Sequence, residues 1–590
     1  MTRGDLRPVV EYYRYDWQRF DGPRALNLSP RDLSPGPAQE RSIAEAFAQA
    51  VSLHQHGRTP EAERLYQAVL AREPDHLGAL HQLSMLRLQQ SAFDDAARLI
   101  HRAIDRDPNF SDGHNILGVA LHALDRPADA LQHFEQAIVI KPDHADAHYN
   151  RGKALQMLHR FAEAAECYRR ALALRANYVD AYNNLGNVLL VLNRPRNALA
   201  CFESAIAIRP DHADAHSNLG NALAALDRYD EAIASYARAL AIQPDHADAH
   251  NNLGLVLRDI NRHTEALACF KKAQAIKPDH ADAQLNEALV RLALGDFDAG
   301  WRKYESRRLT GNNPRKPAPP RPLWLGQGDL SGKTILLHGE QGLGDTLQFL
   351  RYVPHVAERG ARVILAVQRP LARLVTGFAG VSVLRAQGDP IPPFDCYCPL
   401  PSLPLAFGTT LDSIPAAVPY LHVETEALQR WKNRLSGGPG PKVGLVWAGN
   451  PAHKNDRRRS IALDQIAVLF ECPDVRWFSL QLGDRAHDLA MLGRGRVADL
   501  APELADFAET AAAIANLDLV ITVDTATAHL AGALGKPVWV LLPFSADWRW
   551  QLHRNDSPWY PTARLYRQAA PGDWAGVVRE VESALRRFAL

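Results

Sequence analysis

A proline returns at Pro74, Pro108, Pro142, Pro210, Pro244 and Pro278, always on a 34-residue step, with Ala176 in the one vacant slot. No other feature constrains the chain as much. A unit this short cannot bury its own apolar face, so successive copies must stack and share a core. Other residue types keep the same phase. Gly118, Gly152, Gly186, Gly220 and Gly254 mark a first helix where a neighbour must approach closely. Ala62, Ala96, Ala130, Ala164, Ala198, Ala232 and Ala266 are the small residues of a second helix, and Tyr66, Phe134, Tyr168, Phe202, Tyr236, Phe270 and Tyr304 are its aromatic plugs. The register places repeats at about 43–76, 77–110, 111–144, 145–178, 179–212, 213–246 and 247–280. An eighth, from 281 to about 310, keeps Tyr304 but has Gly300 where alanine is expected, as suits a capping repeat.

The step is that of a tetratricopeptide repeat, which predicts an α-solenoid, a superhelix of helix pairs whose first helices line a concave face. On that face Asn150, Asn184, Asn218, Asn252 and Asn286 recur, beside Asp146, Asp180, Asp214, Asp248 and Asp282. An amide both donates and accepts, so a ladder of them can hold an extended backbone without reading its sequence. Runs such as DAYNNLGNVL and DAHNNLGLVL resemble the repeats of O-linked N-acetylglucosamine transferase. That resemblance implies a polypeptide groove; the alternative is asparagine tolerated at a solvated position. The PDHADAH runs place His144/His148, His212/His216 and His246/His250 four apart, a spacing open to a metal, yet they copy with the repeat and no metal is expected.

At 590 residues the chain has room for several domains. A net charge of +1 excludes a dedicated nucleic-acid or anionic-membrane binder. No window reaches eighteen apolar residues, and the opening MTRGDLRPVVEYYRYDWQRF lacks a signal peptide's apolar core, so a cytoplasmic location without a transmembrane segment is expected. Residues 1–40 form an N-terminal tail, either partly ordered or docked on the first repeat through Tyr12, Tyr13, Tyr15, Trp17 and Phe20. Of six cysteines, Cys167, Cys201 and Cys269 share a repeat position, and Cys396 with Cys398 has the wrong spacing for zinc.

The helical period spans 41–310 and ends in a Pro/Gly-rich linker, 311–330. Alternating strands and helices follow, expected as a first Rossmann-like half over 331–435 and a second over 436–590, an α/β glycosyltransferase B fold. In the first half, strands are expected at Lys333–His338, Arg362–Val367, Val381–Leu384 and Phe394–Pro399, with a helix at Leu371–Phe378. The turn GEQGLGDTLQF satisfies neither phosphate-loop pattern: Gln327 stands where Walker A needs its first glycine, and Leu347 where a dinucleotide fingerprint needs its third. What remains is Asp345 at the mouth of a helix, where with Gln348 it also fits a capping box.

In the second half, strands are expected at Lys442–Trp447, Val475–Gln481, Arg496–Leu500, Leu519–Val523 and Val538–Leu542. Asp524 and Thr525 open a helix over Ala526–Leu534, closed by Gly535. Amide groups at such a helix start, past a strand's carboxyl end, form an anion site. The basic loop from Lys454 to Arg459 also follows a strand end and can neutralise a diphosphate, although a solvated charge run reads the same way. Gln481 and Leu500, at strand ends, are candidates for the nucleotide's base and ribose.

The glycine turn, the basic loop before Ser460 and Ile461, and VDTATAHLAGALGKPV, in that order, resemble glycosyltransferase family 9, the heptosyltransferase-like family, over roughly 331–590. The resemblance implies Asp345 as catalytic base, Arg459 on phosphate where heptosyltransferases typically have lysine, and Asp524, Thr525 and Ala526 on the donor's diphosphate and sugar. His529 lies on the same helix. An inverting transfer needs a base for the acceptor hydroxyl and positive potential where leaving-group charge grows. Asp345 supplies the first; Arg459, Lys454 and the helix start supply the second. This half has no Asp-x-Asp motif, so no metal and no cofactor beyond the nucleotide-sugar co-substrate is expected. The expectation is a glycosyltransferase whose repeats recruit a protein acceptor or partner, against a scaffold whose transferase-like half is inactive.

Overall fold

The computed structural model describes residues 42–310, 319–453, 455–492 and 496–588. The expected tail at 1–40, residues 311–318 of the linker and Lys454 lie outside the described residues. The chain divides into two compact units, residues 1–244 and 245–590.

The first unit holds six helix pairs, from Ile43–Gln55 with Thr59–Arg72 to Ala213–Ala225 with Tyr229–Ile242. Each pair turns through one residue of positive φ: Gly57, Ser91, Asp125, His159, Asn193 and Asp227. Asp and Asn tolerate this region better than other side chains, which is why the turn varies while the period does not. The first-helix glycines are needed for a measurable reason. A Cβ on Gly118 would stand 2.5 Å from the Phe134 ring, and one on Gly186 would stand 2.4 Å from Phe202. Where the first helix carries this glycine, the aromatic plug of the second helix thus lies directly on the first-helix backbone.

The first histidine of each PDHADAH run is a helix cap. His144 Nδ1 accepts the Ala147 N–H (3.4 Å), and its Nε2 pairs with Asp112 (3.0 Å). His212 Nδ1 accepts from Ala215 in the same way, while His148 and His216 reach the carbonyls of Pro142 and Pro210. The His144 and His212 imidazoles satisfy amides that a helix start leaves without an intrahelical partner.

The second unit joins the last two helix pairs, Ala247–Asp259 with His263–Ile276 and Ala281–Ala293 with Phe297–Tyr304, to two parallel sheets. Strands β1 (Thr334–His338), β2 (Arg362–Val367), β3 (Val381–Ala386) and β4 (Cys396–Pro399) form the first, in order β3-β2-β1-β4. Strands β5 (Lys442–Val446), β6 (Arg476–Ser479), β7 (Val497–Asp499), β8 (Leu519–Val523), β9 (Val538–Leu542) and β10 (Ala563–Arg567) form the second, in order β10-β9-β8-β5-β6-β7. The fold is therefore a helical-repeat solenoid followed by a two-sheet α/β region of the glycosyltransferase type. Strand β10 is absent from the sequence expectations because the charges of ARLYR interrupt its apolar pattern. The helix expected at Leu371–Phe378 is a 3-10 turn at Arg369–Leu371 followed by irregular turns. No helix among the described residues is long and apolar enough to cross a membrane.

The last repeat shares its core with the sheets. Trp301 meets Trp548 edge-on (5.2 Å between centroids) and donates its indole N–H to the Thr409 carbonyl (3.1 Å). Phe297 stacks on Trp559 (6.3 Å). Buried Arg307 bonds Glu340 and Ser402, each at 2.6 Å. Full burial of such aromatic side chains contributes roughly 1.5–3 kcal/mol apiece.

Candidate functional site

Two helix starts meet between the sheets. The Leu343–Phe349 helix follows β1 through the glycine turn, and the Ala526–Ala533 helix follows β8. They approach so closely that a Cβ on Gly344 would lie 2.7 Å from the His529 ring and 3.6 Å from Ala526 Cα. Gly342, not Asp345, is the N-cap of the first helix. Asp345 sits three residues further on, where its Oδ2 accepts the Gly342 N–H (2.8 Å) and its Oδ1 pairs with Arg549.

Arg549 organises the centre. Besides Asp345, it donates through Nη1 to Asp547 (2.8 Å) and through Nε to the Gln348 amide oxygen (2.5 Å), with its guanidinium 4.5 Å from the Trp548 ring centre. Gln348 is fully buried, and its Nε2 has no hydrogen-bond partner among the described residues. Burial of Asp524, with the negative Asp547 nearby, pushes its carboxyl up from 3.8 to about 6, against the pull of Arg459 and Arg549. His529 is buried beside Arg549 and Arg351, so its imidazole is held neutral, well below its ordinary value. Its Nδ1 faces the Tyr560 hydroxyl (2.9 Å) and its ring stacks on Trp550 (5.5 Å).

Arg459 reaches the same place from the basic loop. Its Nη1 donates to the Asp524 carbonyl (3.1 Å) and its Nε to Asp456 (3.2 Å). A Cβ on Gly449 would meet both side chains within 3 Å, so the glycine leaves room for the loop to fold back. Thr525 is the N-cap of the second helix, but its hydroxyl pairs with that of Thr522 (3.1 Å). Asp345, Arg459, Asp524, Thr525, Ala526 and His529 thus lie around one point.

Other candidates lie elsewhere. Gln481 Oε1 accepts the amides of Trp447 (3.1 Å) and Ala448 (2.9 Å), bracing the end of β5. Leu500 has no exposed surface and belongs to the core, so its side chain offers nothing to a ligand. The asparagines bond within the repeats: Asn150 donates to Asn115 (3.0 Å), Asn184 to the Tyr149 hydroxyl (3.0 Å), Asn218 to Asn183 (2.9 Å) and Asn286 to Asn251 (2.9 Å), each 35 residues back. Asn252 accepts from Asn251 (3.2 Å). The ladder braces neighbouring repeats, with one N–H of each donating amide engaged. Arg549, Asp547 and Gln348 are the members of the centre that sequence reasoning missed as site residues. The motif-like VDT and GLGD turns draw attention away from the DWRW run that holds two of them.

Comparison with known proteins agrees with this anatomy. The family model of glycosyltransferase family 9 (heptosyltransferase) matches residues 483–555, which include Asp524, His529 and Arg549. Tetratricopeptide repeat models match residues 143–211, 177–245 and 211–279, and residues 81–145 and 252–314. Protein FlbA of Caulobacter vibrioides is 31% identical over 328 residues; the match covers 51% of this chain and 54% of FlbA, so the chain spans about half the length of this curated relative. Among solved structures, YrrB, described as a TPR protein with an unusual peptide-binding site, is 26% identical (TM-score 0.28; 32% of this chain, 96% of that one). The pilF protein of Pseudomonas aeruginosa is 20% identical (TM-score 0.33; 36% of this chain, 96% of that one). The chain therefore carries tetratricopeptide repeats joined to a domain of glycosyltransferase family 9.

Proposed function

We propose that the two-sheet region is an inverting, metal-independent glycosyltransferase of the cytoplasm that uses a nucleotide sugar, and that the repeats recruit its acceptor, a protein. On this reading residues 331–435 form the acceptor side and 436–590 the donor side. The observation that carries the reading is the meeting of Asp345, Arg459 and Arg549 at the head of the Ala526–Ala533 helix. A donor diphosphate at that helix start competes with Asp345 for Arg549 and takes the guanidinium, which frees Asp345 Oδ1 to accept a proton. The acceptor hydroxyl then attacks the sugar's C1 while Asp345 takes its proton. The bond from C1 to the phosphate oxygen breaks, and the electron pair leaves with the nucleoside diphosphate. Arg459, Arg549 and the helix amides meet that growing charge, which is where catalysis gains most.

A second reading, an inactive transferase-like scaffold, is favoured by one observation: both oxygens of Asp345 are already engaged. A thermal-shift panel of UDP-, GDP-, ADP- and dTDP-sugars on wild type and Arg459→Ala separates the two. The transferase reading predicts one nucleotide class that stabilises the wild type alone, by about 2.7 kcal/mol at 100 times its dissociation constant. Silence across the panel would favour the scaffold.

A further inference from the structure

The seventh and eighth repeats reach the loops of the donor site through their inter-helix turns. Asp259, the last residue of the seventh repeat's first helix, takes Arg258 (2.8 Å) and also Arg458, the neighbour of Arg459 on the basic loop. Two residues on, Asn261 stands in the left-handed region (φ +61°) and donates its amide N–H to the Phe544 carbonyl (3.0 Å). Ser545 donates back to the Arg258 carbonyl (3.4 Å). At the other end of the same segment, Gln551 donates to the Leu292 carbonyl beside the eighth repeat's turn (2.8 Å). The segment held at both ends, residues 544–551, contains Asp547 and Arg549.

The geometry points to the last two repeats as a positioning element of the nucleotide-sugar site, with Asp259 setting the basic loop and Asn261 setting the Arg549 segment. This rests on the donor-site reading above. Arg458 and Asp259 are partly covered, so their pair is less screened than a surface one. Asp259 touches no donor. It acts through Arg458 on where Arg459 lies, and its loss should appear as donor affinity lost with turnover kept.

The test uses the full-length chain with Asp259→Asn, Asp259→Glu, Arg458→Gln and the Asp259→Asn/Arg458→Gln double variant. Amide hydrogen exchange over residues 455–460 and 544–551 is read alongside titration of the nucleotide sugar that the wild type binds. The expected result is a donor dissociation constant raised about fivefold in Asp259→Asn, the size a partly exposed ion pair carries. Arg458→Gln and the double variant should match it, Asp259→Glu should restore most of it, and exchange should quicken over 455–460. Unchanged exchange and affinity in Asp259→Asn, with donor binding intact in the wild type, would overturn the positioning role alone. A wild type that binds no nucleotide sugar would overturn the donor-site reading itself, while exchange would still show whether the repeat holds the loops.

Discussion

Asp524 carries a carboxyl that ionises only with difficulty, because burial and Asp547 lift it from 3.8 to about 6. Both phosphates of a nucleotide sugar are esterified and titrate far below that range, so a pH effect near 6 belongs to the protein. Below about 6 the carboxyl is neutral and an anion can settle beside it; above, the same anion meets a carboxylate. In the unliganded chain the raised value also makes stability fall as pH climbs from 3.8 to about 6, since the folded state holds its proton longer than the unfolded one. Donor affinity should accordingly weaken by about three- to tenfold between roughly pH 5 and 7.5. Asp524→Asn, neutral throughout, should give a flat profile. Titration calorimetry across that range checks both, and a profile that strengthens with pH would remove Asp524 from the donor's surroundings.

At the scale of the element, two effects of opposite sign meet in the first-helix glycines. Gly186→Ala gains about 1 kcal/mol of helix propensity. It also drives a Cβ to 2.4 Å from the Phe202 ring, and that ring is fully buried and cannot retreat. Overpacking of this kind costs about 1–3 kcal/mol, so the net change should be destabilising by roughly 1 kcal/mol. Phe202→Leu in the same chain should recover it. Urea denaturation followed by circular dichroism would show this, and a stabilised Gly186→Ala would mean that the helices slide to make room. The repeats are the most legible part of the chain because one steric demand recurs in one phase. Strands such as β8 and β9 are legible for a related reason: a parallel strand buried on both faces reads as an apolar run. The caps are less so, since a histidine four residues from another suggests a ligand pair until the Ala147 amide is found on His144 Nδ1.

At the scale of the whole molecule, the compact units divide within the repeat array, at Pro244 and Asp245, and the last two helix pairs belong with the sheets. Tyr304 continues the repeat pattern in sequence, yet it and Trp301 lie in one core with Phe349, Trp548 and Trp559. The candidate site is legible where local chemistry marks it, as at Asp345, Arg459 and the VDT helix start. It is illegible where partners lie far apart in the chain. Arg549 and Asp345 are 204 residues apart, and no spacing or motif announces their ion pair. Leu500 illustrates the converse, since a strand end named from sequence can point into the core.

The central claim is that this centre transfers sugar with Asp345 as base. The most direct measurement is release of nucleoside diphosphate from the donor that the wild type binds, in the presence of lysate protein as acceptor, for wild type and Asp345→Asn. General-base catalysis contributes about 10²–10⁴-fold, so Asp345→Asn should bind the donor at least as tightly as the wild type does and turn over at least about a hundredfold more slowly. Turnover within tenfold of the wild type would contradict the claim and leave Asp345 as the carboxylate that closes the Gly342 helix start and holds Arg549.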